Sequence, residues 1–201
     1  MNLLVYDERV DACSAFSLPP DAQMPFVTRL RFPCSDFTGG AACETAWTDR
    51  RALLALDRLA ELFGAPFAVS GAFRRTGPLA RRAGTAFDIG LHLPPAELNG
   101  LRRAALTSGA FTRVLPSYVS GDRVIAIFDC APAVLEFGCR GAAVCALQDA
   151  LLAEGLFAGP VSGTFDEHTR RAVLRHQRLF GLPQTGAVFP SETPLAALLT
   201  V

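Results

Sequence analysis

The chain has 201 residues and a mass of 21.4 kDa, is 50% hydrophobic and 19% charged, and sets 19 basic side chains against 19 acidic ones. That composition excludes a disordered, collagen-like or coiled-coil chain, and the length allows one sizeable core or two small ones. Without a basic excess or stripe no nucleic-acid partner is expected, and no apolar run approaches the ~20 residues of a membrane span.

The first residues, MNLLVYDERVDACSAF, lack a basic stretch leading into an apolar one, so they do not read as a signal peptide. The pattern of TDRRALLALDRLAELF (48–63) predicts a helix, with a Thr/Asp cap signal and Leu53, Leu54, Leu56, Leu59 and Leu62 at helical spacing. Gly64 ends it and Pro66 blocks its continuation. PFAVSG reads as a short buried strand ending at Ser70–Gly71, and an Arg-rich loop, FRRTGPLARRAG, leads into a second strand-like run, TAFDIGLHL. Another helix is expected over AELNGLRRAALTSG, with Leu98, Leu101 and Leu106 as its apolar face, then a buried strand over RVIAIFD (123–129). Short strands and few helices, without strict alternation, predict an α+β domain over 1–132.

The chain divides near 131–134, and beyond it the pattern is helical. GCRGAAVCALQDALLAEGLF places Val144, Leu147, Leu151 and Leu152 on one stripe before Gly155. In GTFDEHTRRAVLRHQRLFGL, Asp166 is the cap and Ala172, Val173 and Leu179 face inward. A last helix, SETPLAALLT, starts at Ser191 with Pro194 in its first turn. Residues 133–201 are therefore expected to form an all-α three-helix bundle. The six cysteines show no CxxC pair and no Cys/His zinc spacing; buried free thiols are expected, a disulfide framework being the alternative.

The stretch from Leu135 to Val188 resembles the bacterial peptidoglycan-binding domain of the three-helix type. Gly138, Gly141, Val144, Leu147–Gln148, Leu151, Gly155, Gly163, Phe165, Thr169, Ala172–Val173, Gln177, Gly181–Leu182 and Gly186 carry the likeness. Most of these are fold determinants, and the resemblance implies peptidoglycan as the partner. Arg140, Gln148 and Arg175 are the candidate ligand contacts, polar groups near the matched turns and helices. His176 stands where the family has an aromatic residue and is read as a core-edge side chain.

More weakly, residues 30–130 are similar to zinc D-Ala-D-Ala peptidases of the M15 class. RFPCSDF is similar to the family's opening strand, Ser70-Gly71-Ala72-Phe73-Arg74 to its Ser-Gly-Tyr-Arg, and AGTAFDIG to its Gly-x-Ala-x-Asp-Ile with Asp88. GAFTRVLPSYVSGDRVIAIFD resembles the closing hairpin. The family needs two His and one Asp on zinc, and the His positions here hold Arg81 and Ile127. Arginine stays protonated and isoleucine has no donor atom, so only Asp88 remains. His92 does not replace them: on a continuous strand it would share Asp88's face, but about 13 Å along. The expectation is instead that an arginine of the 81–82 pair neutralises Asp88, ordinary surface ion pairing of these arginines being the alternative.

Together these features predict a cell-wall binding protein whose peptidase-like part, with the remnant cleft Ser70, Arg74, Arg81, Asp88 and Asp129, uses no cofactor. The alternative is a zinc-dependent peptidoglycan carboxypeptidase or endopeptidase with rearranged ligands; a purely structural component is a third reading. The sequence does not specify localisation or oligomeric state.

Overall fold

The computed structural model describes residues 1–190, apart from the side chains of 119 and 120; the helix expected over 191–200 lies outside the described residues. The chain opens with an antiparallel hairpin of β1 (Asn2–Asp7) and β2 (Ala12–Ser17). This hairpin carries little local signal: β2 (ACSAFS) has no β-branched residue and its turn has no glycine. β3 (Thr45–Asp49) then pairs parallel to β1, giving a mixed sheet of order β2-β1-β3.

RFPCSDF is not the strand that the peptidase resemblance implied. Cys34–Phe37 form a single helical turn, α1, in which the amides of Asp36 and Phe37 donate back to the carbonyl of Pro33. Proline fixes φ and lacks a donor, and Ser and Asp favour local turns over a ladder. The turn places Phe37 in the core against Phe32 and stacked on Phe73.

α2 (Arg50–Phe63) starts and stops where its sequence signals lie. The Asp49 carboxylate accepts the amide of Arg51 at 2.8 Å, and Gly64 closes the helix in the left-handed conformation. Leu53, Leu56 and Leu59 are buried, whereas Leu54 and Leu62 sit on the outer face. Four further strands, β4 (Val69–Gly71), β5 (Ala86–Ile89), β6 (Arg113–Leu115) and β7 (Val124–Ile127), make an antiparallel sheet of order β4-β5-β7-β6. Three helices lie between them: α3 (Leu79–Arg82), α4 (Pro95–Thr107) and α5 (Ser117–Ser120). On α4, Leu98 and Leu101 point inward, but Leu106 is half exposed and Ala105 fills the core instead. β5 ends at Ile89, with positive φ at Gly90 and His92, so His92 does not continue the strand as expected.

The last part holds α6 (Ala142–Ala153) and α7 (Glu167–Leu179). The predicted single stripe on α6 is corrected: every residue from Ala142 to Leu151 is buried. One side, Val144, Leu147 and Leu151, joins a core with Phe157, Phe165, Val173 and Val188. The other, through Ala142 and Cys145, joins the core of the sheet-bearing part. A helix that is apolar all round is a buried helix, and AAVCALQDALLA has that composition. Leu152 and Leu179, both expected inward, are exposed, Leu179 to 70%.

Candidate functional site

The predicted site residues fall into two groups, the first centred on Asp88. β5 carries this carboxylate into the interior, where the residue is 2% exposed. An isolated buried carboxylate is costly, so its partners matter. Arg81 meets it as a two-pronged fork, Nη1 donating to Oδ2 at 2.9 Å and Nη2 to Oδ1. Arg81 also donates to the carbonyl of Ala86 at 2.8 Å. The space for this fork comes from Gly71 on the neighbouring strand, where a Cβ would lie 3.3 Å from Oδ2. Arg74 adds a second cation, its Nη2 3.8 Å from Oδ2 and its side chain largely in solvent. Its backbone amide donates to the Arg81 carbonyl at 3.0 Å, which ties the two arginines' loops together.

The neighbouring arginine faces the other way. Arg82 reaches toward Asp149 on α6, Nη2 to Oδ2 at 3.9 Å, and Arg75 donates to the same carboxylate while lying over the Trp47 ring. Burial raises the Asp149 carboxyl above its usual range, outweighing these two arginines. Trp47 Nε1 and Thr48 Oγ1 hold the intervening turn through the carbonyls of Arg82 and Gly84, each at 2.7 Å. The 81–82 pair thus divides its charges, one inward to Asp88 and one across to α6.

Ser70 and Asp129 do not complete a cleft with Asp88. Ser70 Oγ is buried and has no hydrogen-bond partner among the described residues. Asp129 is exposed beyond the end of β7, accepts the Ala131 amide at 3.1 Å, and lines a groove of about 360 Å³ with Leu79, Arg113 and Ile127. In the sheet register Asp88 faces Ile125, and Ile127 faces Ala86. A larger cavity, about 670 Å³, opens beside Met1, Cys34 and Thr38 and contains none of these residues. Among the described residues, no three His, Cys, Asp or Glu side chains come close enough to hold a metal ion. Both Asp88 oxygens are engaged by Arg81.

The second group lies on the helical part. Gln148 was expected to touch ligand, and that expectation is corrected: it is fully buried with its amide saturated. Its Oε1 accepts the amides of Ser162 and Gly163 at 2.9 and 3.0 Å. Its Nε2 donates to the Thr164 carbonyl and to Thr169 Oγ1, each at 2.9 Å. Gln177 on α7 repeats the device, accepting the Gly186 amide at 2.9 Å and donating to the Ala187 carbonyl at 3.0 Å. Both clasped glycines have positive φ. The signal was present as a Gln followed by Ser-Gly-Thr and another followed by Thr-Gly-Ala, an internal repeat that reading one glutamine at a time does not find.

The two arginines differ. Arg140 is exposed but donates to the carbonyl and carboxylate of Asp11, at 2.8 and 3.1 Å. Arg175 is exposed on α7. His176 is buried as read, its Nδ1 3.1 Å from Glu154 Oε2 and its ring 4.4 Å from that of Phe180.

This framework of glycine turns clasped by buried glutamines coincides with a known domain. Residues 140–188 match the family model of the peptidoglycan binding domain. The match supports peptidoglycan as the ligand. A solved structure, the SleB N-terminal domain, aligns with 34% of this chain and 90% of its own length, at 30% identity and a TM-score of 0.31. No curated protein matches the chain.

Proposed function

We propose that this protein binds bacterial cell-wall peptidoglycan through the helical part, and that the sheet-bearing part is a non-catalytic, peptidase-like companion. The carrying observation is the match at 140–188, over the segment whose turns Gln148 and Gln177 hold in place. Those turns present a preformed surface, which lowers the ordering cost of binding a polymer. Of the polar candidates, Arg175 lies on an exposed helix face and makes no hydrogen bond or ion pair among the described residues. The non-catalytic reading of the companion is supported by Arg81 in the Asp88 centre, where an arginine fork occupies the carboxylate that a metal would need.

The test is co-sedimentation of the purified full chain with insoluble sacculi. Binding is expected, and it should be lost when the sacculi are first solubilised with a glycan-cleaving muramidase. A chain that stays in the supernatant with intact sacculi overturns the wall-binding reading. In parallel, the chain is dialysed after zinc loading and its metal measured by elemental mass spectrometry. Less than a tenth of an equivalent is expected. Near one equivalent together with release of free amines from wall peptides would reinstate the zinc-hydrolase alternative.

A further inference from the structure

Cys13 and Cys145 lie far apart in sequence and belong to different parts of the molecule, yet they converge on one point. A Cβ built on Gly163 would meet Cys13 Sγ at 2.6 Å and Cys145 Sγ at 2.9 Å. Gly163 has φ of +72° and no side chain, so the space between strand and helix is left to the two sulfurs. The surroundings fix this placement on both sides. Cys13 is the cross-strand partner of Tyr6, and the Tyr6 ring packs on Gly141, one helical turn before Cys145. Gly141 is in turn bonded to the Gly163 carbonyl at 2.9 Å.

We propose that Cys13 and Cys145 are an oxidisable pair whose disulfide covalently staples α6 to the N-terminal hairpin. In the structure both are free thiols. Cys13 is partly exposed and Cys145 fully buried, so an external disulfide reaches Cys13 first. The neighbouring Cys145 thiol also lowers the Cys13 thiol from its ordinary value, favouring it as the attacking thiolate. The oxidant is a small-molecule disulfide, RSSR. Cys13 thiolate attacks one of its sulfurs and expels RS⁻, giving Cys13–S–SR. Cys145, giving up its proton, then attacks the Cys13 sulfur and expels the second RS⁻. The sum is two protein thiols and RSSR converted to one protein disulfide and two RSH. Cys145 is held well above its ordinary value by Cys13 and by burial, so it enters second, as the resolving thiol. Cys130, 3.9 Å from Thr85 Oγ1, is raised by burial to about 12 and is not one of the two sulfurs that meet at Gly163.

The chain has no lysine, and its arginines divide these residues cleanly: tryptic peptide 10–29 contains Cys13 alone, 141–170 contains Cys145 alone, and 124–140 contains Cys130 and Cys139. Reduced full-length protein is incubated with oxidised glutathione, quenched with an alkylating agent and mapped without reduction. The expected product is the 10–29/141–170 pair, with two thiols lost per chain. Because the closed loop is long, Tm should rise by on the order of 10 °C and return on reduction. Cys145→Ser should halt the reaction at a glutathione adduct on Cys13. Should that variant fail to fold, Cys13→Ser must leave Cys145 unmodified. A stable Cys13–glutathione adduct in the parent chain, a link to peptide 124–140, or no reaction of either thiol overturns the proposal.

Discussion

Asp88 and Gln148 are buried polar side chains near the centres of the two parts, and they are satisfied in different ways. Asp88 is held by charge: a guanidinium fork from Arg81, with Arg74 behind it. Gln148 is held by shape: a neutral amide whose acceptor and donor meet the backbone of the 162–164 turn. Losing one partner of a buried ion pair strands a charge, whereas losing an amide strands only dipoles. The two centres should therefore respond very differently to single substitutions.

The largest effect is expected at the charge. Arg81→Met leaves the Asp88 carboxylate buried with Arg74 as its nearest cation, and should cost about 3–5 kcal/mol in urea denaturation. The double variant Arg81→Met/Asp88→Leu should recover most of that loss, a coupling that a double-mutant cycle reads directly. A single variant within about 1 kcal/mol of the parent would mean that Arg74 suffices to neutralise Asp88.

A smaller loss, about 1–3 kcal/mol, is expected for Gln148→Leu, which fits the volume but leaves the Ser162 and Gly163 amides without their acceptor. Hydrogen exchange at those two amides should quicken more than at the Gly186 amide, which Gln177 holds independently. Equal quickening at both turns would show that the two clasps form one cooperative unit.

The smallest effect lies at the surface, where Asp166 caps α7 by accepting the Thr169 amide at 2.8 Å. Asp166→Ala should cost about 1 kcal/mol at neutral pH. Burial alone would raise this carboxyl, but the Thr169 amide and hydroxyl together hold it below its ordinary value. Because the folded pKa is depressed, the cap's contribution is present above the unfolded value near 3.8 and is lost as pH falls through the folded one. Parent and variant melting curves should therefore converge below about pH 4. A gap that persists into stronger acid would assign the stabilisation to packing and not to the ionised cap.

The contrast also marks how far the sequence could be read. The arginine partner of Asp88 was legible, because a carboxylate on a buried strand requires a cation and the 81–82 pair stood seven residues before it. Which arginine it would be was not, since that depends on the turn held by Trp47 and Thr48. Gln148 was misread as a ligand contact because its four partners come from residues 14 to 21 positions away, beyond any local pattern. Leu179 was placed inward by periodicity, which gives the direction of a helix face but not where its partner ends.

By itself the sequence determined the elements with local physics behind them. These are α2 between its Asp49 cap and Gly64, α7 behind Asp166, the strands β4, β5 and β7 of the antiparallel sheet, and the domain likeness carried by ordered glycines. Only the tertiary structure decided the rest: the parallel pairing of β3 with β1, the helical turn at Cys34–Phe37, and the burial of α6 on every face between two cores. The reason is the range of the forces. Caps and periodicity act within a few residues, whereas a helix becomes central only when surfaces distant in sequence close on both its sides.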